Sequence, residues 1–329
     1  MEDDRSPYFA AVPPLAWMAG VATLADLVTN RVLIPLGVSW SGTVLGGPDS
    51  WGAFVRNLSV VSSLVALSFC LASLSSRKSS LPFSARIGVA GFGWVLVSIV
   101  ASMTVLPLGQ ASWSLVLVVA GLAHSSILLL VLAGLHGRST RPISTALALT
   151  LIAALSGILS MTVSQVGGRA FWEHTERLSN AFRWSGELAY LAVPFALALA
   201  VRISPREARG KLVVAAVGLT ATTVATAIAL WERLASSDLP DLLYSAFRLD
   251  FLPQDDCIFY AIPLSIGWSV TVAAILSRDK VDRQLGVALL LLLSAGYAPR
   301  SPSTLITTVL SAALLARVAV ELTQRRRRH

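Results

Sequence analysis

The sequence predicts an all-α, polytopic transmembrane helix bundle: one integral membrane domain over residues 1–329, about ten spans, and both termini cytoplasmic. Three observations predict it. Hydrophobic residues make up 55% of the chain and charged residues 13%, against about 25% charged in a soluble domain. The chain divides into ten apolar stretches, most of them near the roughly 20 residues a helix needs to cross the hydrocarbon core. The basic residues collect in alternate loops, the pattern expected of loops on the cytoplasmic side.

The spans fall at about 13–36, 54–74, 87–107, 113–135, 143–164, 185–202, 212–231, 256–277, 282–297 and 302–320. The first follows an acidic start, Met1-Glu2-Asp3-Asp4, and no small-residue cleavage motif ends it, so it is read as a retained span rather than a signal peptide. The even-numbered loops carry Arg77, Lys78 and Arg86, then Arg138 and Arg141, then Arg202, Arg206, Arg209 and Lys211, then Arg278, Lys280 and Arg283. With Arg5 and the Arg325–Arg328 tail, 17 of the 26 basic residues lie on one side. The other side holds Arg56, Arg169, Arg177, Arg183, Arg233, Arg248 and Arg300, interleaved with acids. Trp40, Trp51, Trp113, Trp172, Trp184 and Trp231 fall at the outer boundary, where an amphipathic ring is at home. Trp94 and Trp268 lie deeper and read as packing residues.

The ninth span is the shortest. Gln284 to Tyr297 reaches only about 21 Å at 1.5 Å per residue, so it either starts near Val281, thins the bilayer or re-enters. Two outer loops have helical apolar spacing, Phe171, Leu178 and Phe182 in 170–184 and Leu239, Leu243, Phe247 and Phe251 in 236–251. Both read as amphipathic helices lying on the outer membrane surface. Pro194 and Pro263 fall inside the sixth and eighth spans, where a missing N–H breaks or kinks a helix.

Ionisable groups inside spans cost about 2.5–3.5 kcal/mol each on insertion scales, so each one is a candidate for function or for pairing. Asp26 lies near mid-depth of the first span, with Asn30 one turn on along the same face and Arg31 turned about 140° from Asp26. Arg56 and Asn57 enter the second span at the outer level; Glu187, with Tyr190, opens the sixth, and Asp255 and Asp256 open the eighth. The expectation is an outward-facing polar cavity lined by Asp26, Asn30, Arg31, Arg56, Asn57, Glu187 and Tyr190, with Asp255 and Asp256 as outer-rim acids. The competing reading is an ion-pair network that fixes helix packing. His124, in the middle of the fourth span beside Ser125 and Ser126, is a candidate proton relay. Thr220, Thr222, Thr223 and Thr226 in the seventh span read first as close helix packing.

The missing motifs narrow the chemistry. Lysine occurs only at 78, 211 and 280, all in loops, so no span offers a Schiff base. One intramembrane histidine cannot ligate haem from both sides, and Cys70 and Cys257 lie in separate segments, so no metal site or disulfide framework is expected. There is no Walker-A loop, His-Glu-x-x-His or Gly-x-Ser-x-Gly. No cofactor is therefore expected. The net charge of +8 is accounted for by loop arginines, which removes the argument for nucleic acid as a partner.

The expected partners are the lipid bilayer and a small-molecule or lipid substrate; a partner membrane protein or a second copy stays open. The expected location is the plasma (inner) membrane. Three functions fit. The first is a secondary transporter or permease-like protein, on the count of spans, the short loops and the proline-interrupted helices. The second is a non-catalytic membrane subunit or scaffold, whose polar groups would pair off and leave no cavity. The third is a membrane-embedded enzyme acting on a lipid or lipid-linked substrate, which needs paired carboxylates open sideways to lipid.

Overall fold

The computed structural model describes residues 7–29, 48–105, 110–135, 141–166, 172–200, 279–295 and 302–326, together with Thr271, Ala274, Ile275 and Ser277. Among them the fold is all helical, with no strand. The helices are α1 (Pro7–Val28), α2 (Pro48–Ser75), α3 (Phe83–Val105), α4 (Gln110–Gly134), α5 (Arg141–Val166), α6 (Trp172–Ala200), α7 (Lys280–Ala295) and α8 (Pro302–Arg326). Four of the described helices, α1, α2, α5 and α8, are long and apolar enough to cross a membrane, and shorter apolar stretches lie in α3 and α4. The chain is thus a membrane-integral helical protein by length and composition. The expected spans at 212–231 and 256–277 lie almost wholly outside the described residues, as do the surface helix at 236–251 and Pro263.

Helix α8 sits at the centre. Its sequence from Leu305 to Ala316 is small and mostly apolar, with only Thr307, Thr308 and Ser311 as polar residues, and such a helix finds its favourable surroundings inside a bundle. It packs against α2, α3, α4, α5 and α7, and 94% of its apolar stretch is buried by protein. Helix α7 lies beside it, antiparallel, with the Ser311 hydroxyl donating to the Ala288 carbonyl at 2.6 Å. From Val281 to Leu293 only Arg283 of α7 is exposed. This accounts for its length. Sixteen residues reach about 24 Å, short of a 30 Å hydrocarbon core, but a helix sheathed in protein does not have to match the lipid around it. The Asp279 carboxylate caps its start, accepting from the Val281 N–H at 2.9 Å. Gly286 allows the close approach of the preceding segment: a Cβ there would stand 2.8 Å from the Ile275 nitrogen.

Five segments meet at one end of the bundle. The Gln324 amide donates to the Lys78 carbonyl at 2.7 Å, joining the end of α8 to the α2–α3 turn. Arg325 pairs with Asp279 at 3.6 Å, joining it to the start of α7. Arg317 reaches the first turns of α1 through the Phe9 carbonyl. Gly134, at the end of α4, packs on Leu81 and Pro82 ahead of α3.

Three expectations are corrected. Residues 172–184 do not lie flat as a separate surface helix; they are the first half of α6, which runs unbroken for 29 residues. No proline interrupts the chain there, and facing serines hold it upright against α5: Ser160 with Ser179 at 3.0 Å and Ser156 with Ser185 at 3.1 Å. Pro194 does not break α6 either, since the turns on both sides supply enough helical bonds to carry it across one missing donor. Trp94 is not a packing residue: it is 74% exposed, on the outward face of α3 with Ile87 and Val95. Trp268 lies outside the described residues.

Candidate functional site

The sequence-predicted outer site is only partly gathered. Helices α1 and α2 run antiparallel with Thr23 and Ser59 hydroxyls 3.0 Å apart. Asp26 and Arg56, each one turn beyond that contact, therefore stand at the same level. Asp26 is half-buried, while Arg56 and Asn57 are exposed on α2. Tyr190 is elsewhere: it is buried, and its hydroxyl donates to the Leu292 and Leu293 carbonyls of α7 at 3.3 and 3.5 Å. That contact ties α6 to α7. Asn30, Arg31, Asp255, Asp256 and the side chain of Glu187 lie outside the described residues. His124 is buried in α4, where its Nε2 and the neighbouring Ser125 hydroxyl have no hydrogen-bond partner among the described residues. Ser126 bonds back to the Leu122 carbonyl at 2.8 Å. Among the described residues no three His, Cys, Asp or Glu side chains converge as metal ligands.

The most concentrated polar chemistry lies at the opposite end, around Arg317 of α8. Arg317 and Glu321 are one helical turn apart, with side chains 3% and 9% exposed and a 3.2 Å ion pair between them. The guanidinium also donates to the Gln284 side-chain oxygen of α7 and to the Phe9 carbonyl of α1 at 2.6 Å. It lies over the Phe9 ring, 5.2 Å from its centroid. Glu321 takes a second cation, Arg325, at 3.4 Å.

The Phe9 contact follows from the sequence. In an uninterrupted helix the Phe9 carbonyl would accept the N–H of residue 13, but residue 13 is proline and has none. The orphaned carbonyl is turned over to Arg317, so a defect in α1 becomes the point at which α1 is fastened to α8. Burying a guanidinium costs several kcal/mol unless charge and hydrogen bonds offset it. Here a carboxylate, an amide oxygen, a backbone carbonyl and an aromatic face converge on it. Such a cluster fixes three helices relative to one another, and it offers neither a nucleophile nor an open ligand position.

No protein-family model, no curated protein and no solved structure matches this chain.

The second feature at this end is a cavity of about 390 Å³ between α1 and α7. Pro13, Pro14, Ala16, Trp17 and Val287 form its apolar wall; Lys280, Arg283 and Gln284 form its polar side. Sequence reading missed both features. It assigned Lys280 and Arg283 to orientation alone and passed over Arg317 inside the last span and Glu321 just beyond it. The available signals were an Arg and a Glu four apart in an apolar stretch, and a Pro-Pro pair inside a helix.

Proposed function

We propose that the chain is an integral protein of the plasma (inner) membrane with about ten spans and cytoplasmic termini, and that its described helices form the fixed core of a non-catalytic membrane subunit or scaffold. One observation carries the second half of this reading: the central helix α8 is enclosed by five others, and its buried charges are matched by groups from α1 and α7. A core built this way resists the relative sliding of helices that alternating access requires. Support for the orientation comes from the meeting of the α1 start, the α2–α3 turn, the α7 start and the α8 end. Of these, the α2–α3 turn, the α7 start and the α8 end are rich in Arg and Lys, and the positive-inside rule assigns them to the cytoplasm.

A secondary transporter or permease-like protein is the second reading. The observation favouring it is the cavity beside the Pro13–Pro14 pair, where α1 continues but lacks two backbone donors, as helices that border binding sites in such proteins often do. Single cysteines placed at Ala288, Leu291, Ala312 and Ala316 of the purified protein in vesicles separate the two. The scaffold reading expects none of the four to react with a water-soluble maleimide from either side. Reaction of the same site from each side in turn overturns it in favour of transport.

A further inference from the structure

We infer that the cavity between α1 and α7 is a binding site for the headgroup of an anionic phospholipid drawn from the surrounding bilayer. The inference is independent of the choice between scaffold and transporter and depends only on membrane integration.

The polar side of the cavity is cationic. Lys280 and Arg283 are exposed, and neither has a carboxylate partner among the described residues, although carboxylates are close in sequence. Asp279 is committed to Arg325 and to the Val281 N–H. Asp282 is buried and accepts from the Ser277 hydroxyl at 3.0 Å. Two cations therefore face the cavity mouth with their counter-charges turned away. The Gln284 amide, which also lines the cavity, is held by the Lys280 carbonyl at 3.1 Å and by Arg317.

Helix α1 adds an acceptor. Within an ordinary turn the Ala10 carbonyl would receive an N–H from residue 14 or, more tightly wound, from residue 13; both are proline. Ala10 lines the cavity and is exposed, so its carbonyl is placed to accept from a headgroup hydroxyl. Phosphate against Lys280 and Arg283, with a hydroxyl toward Ala10, describes a glycerol- or inositol-type anionic headgroup rather than a zwitterionic choline.

The route for an acyl chain is also present. From the cavity wall, Pro14, Trp17, Val21 and Leu24 follow at helical spacing along one exposed apolar face of α1, with Trp17 at 53%, Val21 at 45% and Leu24 at 45% exposure. A site cationic at one end and continuous with a lipid-facing apolar strip fits an amphiphile. A small water-soluble anion would use only the first part. Anionic lipid beside basic residues at the membrane surface gains binding from each charge.

The test uses the full-length protein in nanodiscs made from equal parts phosphatidylglycerol and phosphatidylcholine, with native mass spectrometry of the lipid retained after gentle release. The wild type is expected to keep one phosphatidylglycerol in preference to phosphatidylcholine. The double variant K280Q/R283Q should hold it about thirtyfold more weakly, from two charge contacts. R77Q/R141Q, which removes the same charge from exposed positions at other helix ends, should leave retention unchanged. Ala10→Trp, which fills the cavity while keeping both cations, should also lose the lipid. Equal loss in the two double variants would reduce the effect to general surface charge and overturn the inference. So would full retention in Ala10→Trp, or displacement of the lipid by millimolar glycerol phosphate, which would make the ligand a soluble anion.

Discussion

Replacing Arg317 with methionine removes the cation at the centre of the buried cluster and leaves its acceptors behind. Loss of one partner from a buried ion pair costs about 3–5 kcal/mol. The value here should fall at the lower end, about 3 kcal/mol, because Glu321 keeps Arg325 at 3.4 Å. Part of that cost belongs to the Phe9 carbonyl, which cannot recover a bond within its own helix while residue 13 is proline. An orphaned buried acceptor costs about 1–3 kcal/mol. Pro13→Ala restores the missing N–H, so in the Arg317→Met background it should return about 1–2 kcal/mol that it does not supply to the wild type. The assay is a double-mutant cycle on unfolding in mixed detergent and SDS, followed by tryptophan fluorescence and far-ultraviolet circular dichroism. Cycles on ordinary hydrogen bonds in membrane proteins average about 0.6 kcal/mol, so the expected coupling stands above that background. Additivity within about 0.3 kcal/mol would refute the claim that Arg317 substitutes for the donor removed by Pro13.

Other expected outcomes follow from packing. Gly286→Ala should destabilise by about 1–3 kcal/mol, because its Cβ would meet the Ile275 backbone nitrogen at 2.8 Å and backbone cannot step aside. Gly91→Ala on the outward face of α3 meets nothing within 4 Å and should be neutral or stabilising by up to about 1 kcal/mol, both measured in the same SDS titration. Cys70, fully buried in α2, should resist a membrane-permeant maleimide in the folded Cys257→Ser protein and react only after denaturation, as mass spectrometry would record. Ser311→Ala should cost about 0.6–1.7 kcal/mol through its bond to Ala288, and a null effect in thermal unfolding would mean α7 and α8 are held by packing alone.

The sequence made much of this architecture legible, for a physical reason. Apolar length and the scarcity of charge are summed along the chain, so α1 to α6 could be located without knowing which helix touches which. Depth of burial was less accessible. Nothing in the apolar content of α8 separates a helix facing lipid from one sheathed in protein, since both are apolar all round. Trp94 shows the same ambiguity at one residue: a tryptophan deep in a span suits a core or a lipid face equally, and α3 turns it to the outside. The spacing of Phe171, Leu178 and Phe182 suggested a surface helix over 170–184, whereas Ser179 and Ser185 pair with Ser160 and Ser156 of α5 and make the segment part of the bundle. The polar site was the least legible part. Asp26 drew attention as a charge at mid-span, whereas Arg317 lay close enough to the arginine tail to pass for its continuation. Its meaning depended on a proline 304 positions away in sequence and on the carbonyl that this proline leaves without a donor.

The most direct test of the account is side-specific labelling of the reconstituted protein, oriented in vesicles, with single cysteines at Arg77, Arg283 and Arg325 and at Trp172. The first three sit on ends that the contacts bring together, and all three should react with an impermeant maleimide from one side only, with Trp172 reacting from the other. Labelling of Arg77 and Arg325 from opposite sides, or a chain that stays monodisperse in water without detergent, would contradict the account.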